Sequence, residues 1–254
     1  MLIDSHCHLN RLKSDNGLDQ IIENAYSKGV NKIISIAVDL EEVEEIRSIA
    51  ERYEGVYFTV GKHPSEFDGE SVNFERLVAL SSHPKCVGIG ETGLDYHYNN
   101  EDTYEDQKAR FITHLKVAKS VDKPVIVHTR AANKDTIEIL ETYANDSVKG
   151  VLHCFTESYE LAKVALDLGF YISFSGIVTF KNAQDLQEVA KKIPLDRILV
   201  ETDAPYLTPV PFRGKPNYPE YVYYVASFLA EHLNIPFEEF AAITKNNTET
   251  LFSI

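Results

Sequence analysis

Eight short runs rich in aliphatic and β-branched residues recur along the 254-residue chain, and they constrain its fold more than any other feature. Each run is almost continuously apolar, which is typical of strands buried on both faces in a parallel sheet covered by helices. Segments with helical periodicity separate them, so that strand and helix alternate. The runs are 2–4, 32–38, 56–60, 86–90, 124–128, 150–155, 170–175 and 197–201.

The clearest helical segments are amphipathic, and several close on a glycine suited to the left-handed backbone at a helix end. Examples are 18–29, 41–52, 105–121 and 158–169. Eight βα units in a chain of this length predict an α/β fold, a closed (β/α)8 or TIM barrel, with residues 1–254 forming a single domain. The alternative is a doubly wound open sheet, but the glycine-rich turn expected after its first strand is missing from the sequence. We expect the proline-rich stretch 204–219 to be a long ordered loop, because helical sequence resumes after it.

Composition and charge limit where such a protein works and what it binds. The sequence shows no apolar run long enough to span a membrane, no export signal and no CxxC spacing among its three cysteines. We therefore expect a cytoplasmic protein that does not contact membranes. The net charge of −14 argues against a broad basic surface, so an anionic substrate must be attracted locally, and bound metal ions can supply that attraction.

Polar side chains fall at the carboxyl ends of the expected strands, which is where barrel enzymes keep their chemistry. Five of the nine histidines lie there. His6 and His8 are separated by one residue, so they point to the same side of the first strand and form a ready pair of metal ligands. The same alternation turns Cys7 away from the site, and we expect Cys154, next to His153, to be turned away and buried as well.

Six of these side chains make up the candidate metal site. Imidazole and carboxylate groups together suit Zn²⁺, Mn²⁺, Fe²⁺ or Co²⁺, and a carboxylate such as Glu91 can bridge two ions. Six ligands are too many for one tetrahedral zinc, but they suit two divalent ions that share a bridge; Mg²⁺ and Ni²⁺ also stay open as the native metal. The candidate ligands are His6, His8, Glu91, His128, His153 and Asp203.

Two further acidic residues near the ligands have open roles. Glu201 lies on the same side of its strand as Asp203, where it is a third-metal ligand, a residue that orients a ligand, or a buried structural acid. Asp4 shares a side with His6 and His8, and we expect it to be a partner for one of those histidines.

Substrate contacts are expected from cationic and aromatic residues just past the strand ends. Arg130 can bind a phosphate through two parallel hydrogen bonds, and His63 can bind substrate or an additional metal, with a capping or core role as its alternative. The substrate-binding candidates are His63, Arg130, Arg213 and Lys215; the candidates for stacking on bases are Tyr96, Phe155 and Tyr206, each of which has core or rim packing as its alternative.

The motifs around these residues closely resemble those of the TatD family of metal-dependent deoxyribonucleases, in the same order and almost from end to end. The resemblance implies a TIM barrel of the metal-dependent hydrolase superfamily that hydrolyses DNA phosphodiester bonds, often from a 3′ end. It also implies that His6, His8, Glu91 and Asp203 hold one metal and that Glu91, His128 and His153 hold a second. The motifs are HxH at 6–8, GKHP at 61–64, GETGLDYH at 90–97, PVIVHTR at 124–130, HCFTES at 153–158, SFSGIVTFKNA at 173–183 and ETDAPYLTPVPFRGKPNYP at 201–219.

The sequence therefore predicts a metal-dependent phosphodiester hydrolase, a 3′–5′ exonuclease acting on DNA, with RNA and small phosphodiesters left open. Glu91 is the predicted bridging ligand, and Asp203 is the predicted base that takes the proton of the attacking water. One alternative is an amidohydrolase or lactonase on the same barrel, although Glu91 stands where its binuclear members commonly carry a carboxylated lysine. The other is a non-catalytic metal-binding interaction protein, against which the complete set of ligands argues.

Overall fold

Eight parallel strands lie side by side in the order in which they occur along the chain. They are seen in a computed structural model that describes residues 1–14, 17–66, 72–144 and 147–254. The first and last strands meet through backbone hydrogen bonds from Asp203 N to His6 O (2.9 Å) and from His8 N to Ala204 O (2.8 Å). The predicted barrel is confirmed and the open-sheet alternative is wrong. The strands are β1 Leu2–Cys7, β2 Val30–Ser35, β3 Val56–Val60, β4 Cys86–Asp95, β5 Val125–Arg130, β6 Gly150–Leu152, β7 Tyr171–Phe174 and β8 Ile198–Val200.

Helices follow the strands and cover the outside of the barrel. Two of the predicted glycine helix ends are present, because Gly29 and Gly169 follow α1 and α6 with φ of 81° each. None of the helices in the described ranges is long and apolar enough to cross a bilayer. The helices are α1 Gly17–Ser27, α2 Val43–Arg52, α3 Phe74–Leu80, α4 Tyr104–Val121, α5 Asn133–Tyr143, α6 Tyr159–Asp167, α7 Gln184–Ala190, α8 Val222–His232 and α9 Phe237–Phe252.

Strand residues alternate between two apolar layers. Ile33 and Val125 belong to the layer between strands and helices, which also contains Phe111 of α4. Their chain neighbours Ile34 and Ile126 pack in a second, smaller layer inside the barrel. Successive side chains of a strand point to opposite faces, so a closed barrel covered by helices has to be apolar on both.

The last helix, α9, closes the end of the barrel where the strands begin. Leu251 and Phe252 join the inner apolar layer. Asn247 Nδ2 donates to the carbonyl oxygens of Leu195 (2.8 Å) and Ile198 (2.9 Å), at the start of β8. The opposite end, at the carboxyl ends of the strands, is left open for a site.

Two strands run further than their apolar pattern indicates. β4 extends to Asp95 and β5 to Arg130, so Glu91 and His128 lie within strands and not at their ends as expected. Gly93 makes this pairing possible, because a Cβ at that position would lie 1.9 Å from the carbonyl oxygen of His128. The two extended strands raise one wall of the barrel on the open side.

Two other strands are shorter than expected. β6 ends at Leu152 and β8 at Val200, so His153 and Asp203 lie in the loops that follow. Asp203 has a φ of 56°, in the left-handed region, which turns the chain back toward the barrel mouth. The predicted boundaries of the remaining strands differ from the observed ones by at most three residues.

The proline-rich loop after β8 is ordered, as expected. Asn217 is fully buried within it, and its Nδ2 donates to the carbonyl oxygens of Thr202 (2.8 Å) and Tyr206 (2.5 Å). Thr208 Oγ1 donates to Lys215 O (2.5 Å). These bonds fold the loop over the open end and hold Tyr206 at the barrel mouth.

Candidate functional site

A cavity of about 690 Å³ opens at the carboxyl ends of the strands. Its floor is formed by side chains from six of the strands or the turns that follow them. This volume lies in the range typical of sites for small ligands. The polar residues of the floor include His8, His63, Glu91, His128, His153 and Asp203.

Glu91 lies at the centre, and its Oε2 atom faces the first group of ligand candidates. His6 Nε2 is 3.3 Å and His8 Nε2 is 4.0 Å from this oxygen. Asp203 Oδ1 lies 3.5 Å from His6 Nε2 and 3.3 Å from His8 Nε2. The carbonyl oxygen of Ile36, 3.3 Å from His8 Nδ1, leaves Nε2 of that ring directed at the carboxylates. His6, His8 and Asp203 offer ligand atoms that all lie within 4.8 Å of one another.

The other oxygen of Glu91, Oε1, faces a second group of imidazoles. His153 Nε2 lies 2.8 Å away, His128 Nδ1 3.2 Å and His63 Nε2 3.3 Å. His63, Glu91 and His128 also have ligand atoms within 4.8 Å of one another. One carboxylate therefore stands between two separate groups of nitrogen donors, which is the geometry of a bridging ligand.

Two buried carboxylates lie behind the second group and orient its rings. Asp95 Oδ2 is 3.1 Å from His128 Nε2, which leaves Nδ1 of that ring for Glu91. Glu201 Oε1 is 3.4 Å from His153 Nδ1, which leaves Nε2 of that ring for Glu91. Such partners fix the tautomer of a ligand histidine and raise its basicity.

Opposite charges within the cluster counteract the effect of burial on the pKa values of its carboxyl and imidazole groups. Burial alone would raise the pKa of Glu91, but the facing His153 and His63 hold that pKa well below its ordinary value. Burial would likewise raise the pKa of Asp203, but His8 and the other nearby imidazoles keep it low. The pKa of His153, which burial would lower, is raised well above its ordinary value by Glu91. These pKa shifts favour the ionised form of both carboxylates, which is the form that binds a divalent cation.

Several buried donor atoms at this centre lack a hydrogen-bond partner within the described part of the chain. Buried polar atoms are almost always paired, so unpaired ones on His6, His153 and Glu201, which offer ligand atoms within 4.8 Å of one another, indicate a place suited to a cation. Imidazole nitrogen and carboxylate oxygen are the donors that divalent transition metals prefer, so the residues present fit metal ions. The unpaired atoms are Nδ1 and Nε2 of His6, Nε2 of His153 and Oε2 of Glu201.

The substrate-binding candidates divide into two pairs. His63 and Arg130 line the cavity, as the sequence predicts. Arg213 and Lys215 are exposed on the proline-rich loop and do not line it. The guanidinium carbon of Arg213 lies 3.7 Å from the ring centroid of Phe180. Only the first pair is thus in contact with the space above the ligand cluster.

The structure places the three candidates for stacking on bases in three different environments. Phe155 is 1% exposed and belongs to the core, so the structure confirms its core alternative and excludes stacking on a base. Tyr96 packs against Tyr104 at 3.6 Å between ring centroids, outside the cavity lining. Tyr206 lines the cavity and is 47% exposed.

Two expectations about neighbouring residues are wrong. Cys154 lines the cavity, because β6 has already ended and a φ of 42° takes Cys154 out of strand alternation; only Cys7 is turned away. Asp4 accepts hydrogen bonds from Thr202 N (2.8 Å), Thr202 Oγ1 (2.5 Å) and the backbone of His6 (3.4 Å). Asp4 therefore ties β1 to the end of β8 and does not contact an imidazole ring.

Sequence reasoning missed several residues that line the cavity, among them Asp95, Tyr98 and Arg11. Asp95 could have been found, because strand alternation places it on the same side of β4 as Glu91. Tyr98 lies in the turn after β4, and Arg11 lies in a short 3-10 turn after His8. The apolar pattern gives no signal for either position.

Comparisons with known proteins identify the family to which the chain belongs. The family model described as TatD related DNase matches residues 3–253. The uncharacterized metal-dependent hydrolase YabD of Bacillus subtilis is 42% identical over 255 residues, which cover 100% of both chains. The crystal structure of YJJV, a TatD homolog from Escherichia coli K12, has a TM-score of 0.92 and 33% identity, covering 100% of this chain and 98% of that chain.

A further relative carries a more specific name. The protein of Escherichia fergusonii named 3′-5′ ssDNA/RNA exonuclease TatD is 32% identical over 242 residues, 93% of each chain. The family match spans nearly the whole sequence, and the candidate ligands converge at the mouth of a TIM barrel. The chain therefore belongs to the TatD-related DNase family of metal-dependent hydrolases.

Proposed function

We propose that this protein is a two-metal nuclease that removes nucleotides from the 3′ end of DNA, with RNA as a second substrate. The observation that carries the proposal is the position of Glu91, whose two oxygens face two separate groups of nitrogen donors. The name of the Escherichia fergusonii relative supports a single-stranded nucleic acid as the substrate.

The ligands divide naturally between two ions. His6, His8 and Asp203 with Oε2 of Glu91 would hold one ion; the residues around Oε1 would hold the other. His128 and His153 would be ligands of this second ion, and His63 would be a further ligand or a substrate contact. Two bound divalent ions would lower the pKa of a water molecule and neutralise charge on the phosphate as it reacts.

Asp203 is the base in this proposal. Its side chain is 13% exposed against 4% for Glu91, so it is the carboxylate with access to the cavity. Asp203 accepts a proton from the attacking water, whose oxygen bonds to phosphorus while the bond from phosphorus to the 3′ oxygen of the shortened chain breaks. The proton then passes to that departing 3′ oxygen, and the terminal nucleotide leaves with a 5′-phosphate.

The test is an assay of the purified protein on 5′-labelled single-stranded DNA, double-stranded DNA and RNA with each candidate metal. We expect a ladder of products that shorten one nucleotide at a time from the 3′ end. Glu91→Ala and His128→Ala should abolish the ladder while leaving the circular dichroism spectrum unchanged, because apolar layers hold the barrel.

Absence of metal-dependent turnover with every ion would overturn the proposal. The same preparations should also be given amide and lactone substrates. Metal-dependent opening of a lactone or cleavage of an amide, with the nucleic acids left intact, would establish the amidohydrolase alternative instead.

A further inference from the structure

Two exposed tyrosines stand at the rim of the cavity, each held by an arginine. Tyr98 is 69% exposed, and the guanidinium carbon of Arg130 lies 4.4 Å from its ring centroid. A guanidinium over a tyrosine ring fixes the ring while leaving the rest of it open to a ligand. Among the residues that the structure describes, Arg130 has no carboxylate as an ion-pair partner, although the chain has a net charge of −14. Its charge is available to an anion in the cavity.

The wall of the cavity that bears Tyr98 and Arg130 also bears His128, one of the candidate metal ligands. Asp95 Oδ1 accepts hydrogen bonds from the backbone of His97 (2.9 Å) and Tyr98 (3.0 Å), while Asp95 Oδ2 lies 3.1 Å from His128 Nε2. One carboxylate thus fixes both the turn that bears Tyr98 and the ring of His128. This rigid connection sets the distance between Tyr98 and the second ligand group.

The other tyrosine, Tyr206, lies beside the first group of candidate ligands. The ring centroid of Tyr206 lies 5.9 Å from that of His8, and its hydroxyl accepts a hydrogen bond from Arg11 Nη1 (3.4 Å). Arg11 is itself neutralised by Glu42, whose Oε1 lies 2.6 Å from Arg11 Nη2. This wall therefore presents an aromatic ring without a spare positive charge.

The difference between the walls matches a difference between the two nucleotides at a 3′ end. The terminal nucleotide carries only the phosphate that is cleaved. The nucleotide before it carries a further phosphate on its 5′ side, if the chain continues. Only this second nucleotide offers an additional anion, and of the two arginines among the described residues that line the cavity, only Arg130 has no carboxylate partner. Both walls offer a ring on which any base can stack.

We propose that the cavity contains two nucleotide subsites on opposite sides of the scissile phosphate. Tyr98 stacks on the base of the penultimate nucleotide, and Arg130 binds the phosphate on its 5′ side. Tyr206, positioned by Arg11, stacks on the base of the terminal nucleotide. The inference rests on the proposed nuclease function and gives it a minimal substrate, a dinucleotide whose two bases are both bound.

Short oligonucleotides test each contact separately. The substrates are d(TpT), d(TpTpT) and analogues that lack the terminal or the penultimate base, with Mn²⁺ present. We expect Tyr98→Ala to lower kcat/KM on d(TpT) about ten- to a hundredfold and to have no effect when the penultimate base is missing. Tyr206→Ala should behave in the same way toward the terminal base. Arg130→Gln should slow d(TpTpT) by a larger factor than d(TpT), because d(TpT) loses only the support of the Tyr98 ring whereas d(TpTpT) also loses the contact to its second phosphate.

Matched variants exclude effects on folding. Tyr143 is a further exposed tyrosine with a cation near its ring, since Lys116 Nζ lies 5.9 Å from the centroid, but it is on α5 outside the cavity; Tyr143→Ala should change nothing. Tyr98→Phe and Tyr206→Phe keep a ring and should keep most of the activity. Arg130→Lys keeps the charge and should recover part of the rate on d(TpTpT).

The outcomes separate the subsites from the function. If the wild-type protein releases no thymidine 5′-phosphate from either substrate, the nuclease proposal itself falls. If it does release the product, the subsites are refuted when the tyrosine variants lose as much activity on base-free analogues as on intact ones. Equal slowing of d(TpT) and d(TpTpT) by Arg130→Gln would assign Arg130 to the scissile phosphate and overturn its place here.

Discussion

A histidine binds a metal through the nitrogen that its other contacts leave free, so the residues behind a ligand decide how it is presented. Asp95 and Glu201 have this position behind His128 and His153. Together they account for why Nδ1 of one ring and Nε2 of the other reach the same oxygen of Glu91. Glu201 has the position of an orienting residue through Oε1, while its Oε2, unpaired among the described residues, belongs to a group with His6 and His153 that could hold a metal ion.

Asp95→Asn tests this support directly. Because an amide cannot stabilise the imidazole ring as a carboxylate does, we expect the affinity for one of the two ions to fall about 10- to 100-fold. Isothermal titration calorimetry with Mn²⁺ measures it. Asp135→Asn, which changes a partly exposed carboxylate bonded to Tyr96 Oη, is the control. An unchanged titration curve for Asp95→Asn would show that the carboxylate has no part in presenting His128.

At the scale of single residues, the sequence predicts which side chains come together in the candidate metal site. All six ligand candidates converge, because strand ends and alternation are readable from the sequence alone. Their roles as ligands stay a prediction. The error on Cys154 arises where the backbone leaves the strand, since a left-handed φ cannot be read from residue types. Tyr98 was missed because it reaches the cavity through the Asp95 hydrogen bonds and not through periodicity.

Among the secondary-structure elements, the paired strands β4 and β5 contribute the largest share of the site residues. Glycine at position 93 is what allows it, since its φ is 133° and a Cβ there would meet the backbone of His128. The apolar pattern stops at residue 90, because the strand continues through the polar and glycine-containing stretch ETGLD. The length of the strand is therefore set by packing against its neighbour, which local sequence does not reveal.

Gly93→Ala should separate the two strands and lower the free energy of unfolding by at least about 3 kcal/mol. Gly169→Ala is the matched control, because Gly169 also has a positive φ but nothing lies within 4 Å of an added Cβ. We expect this control to cost about 1 kcal/mol. Urea denaturation followed by circular dichroism gives both values. Equal losses for the two variants would mean that backbone conformation matters and the close approach does not.

Helix α4 contributes a buried histidine that makes stability depend on pH. His114 Nε2 accepts a hydrogen bond from Lys62 N (3.1 Å), and burial lowers the pKa of His114 from its ordinary value of 6.5 to about 4. Between these values the unfolded chain binds a proton that the folded chain does not. The free energy of unfolding should therefore fall as pH drops through this window, by about 3 kcal/mol from this group.

His114→Gln removes that proton uptake. The difference in unfolding free energy between wild type and variant should shrink as pH falls from 6.5 to 4. Denaturation at half-unit pH steps, with the variant as reference, cancels the contributions of every other group. A difference that stays constant across the range would show that His114 keeps its ordinary pKa.

For the molecule as a whole, ion binding and folding should be linked. Saturating Mn²⁺ at a thousandfold excess over its dissociation constant adds about 4 kcal/mol to the folded state for each bound ion, and each such increment corresponds to a Tm increase of about 10 °C. Glu91→Ala should show no such increase, because Glu91 contacts both ligand groups. Differential scanning calorimetry measures both proteins. A metal-dependent rise of the same size in Glu91→Ala would place the ions elsewhere.

The same measurement bears on domain organisation. The (β/α)8 architecture follows from the alternation of strands and helices, and it is confirmed. That residues 1–254 form one domain stays a prediction, and it requires a single cooperative transition. Two transitions that respond separately to Mn²⁺ would contradict it.

Closure of the barrel between β1 and β8 has a consequence for the timing of synthesis. His6 and His8 leave the ribosome early, whereas Asp203, whose backbone bonds to His6, is added nearly two hundred residues later. At ordinary rates of translation this interval is roughly 10 to 40 s. During that time the nascent chain lacks Asp203 and the strand that closes the barrel. The six candidate ligands can therefore come together only after the last strand and the loop that follows it have been released.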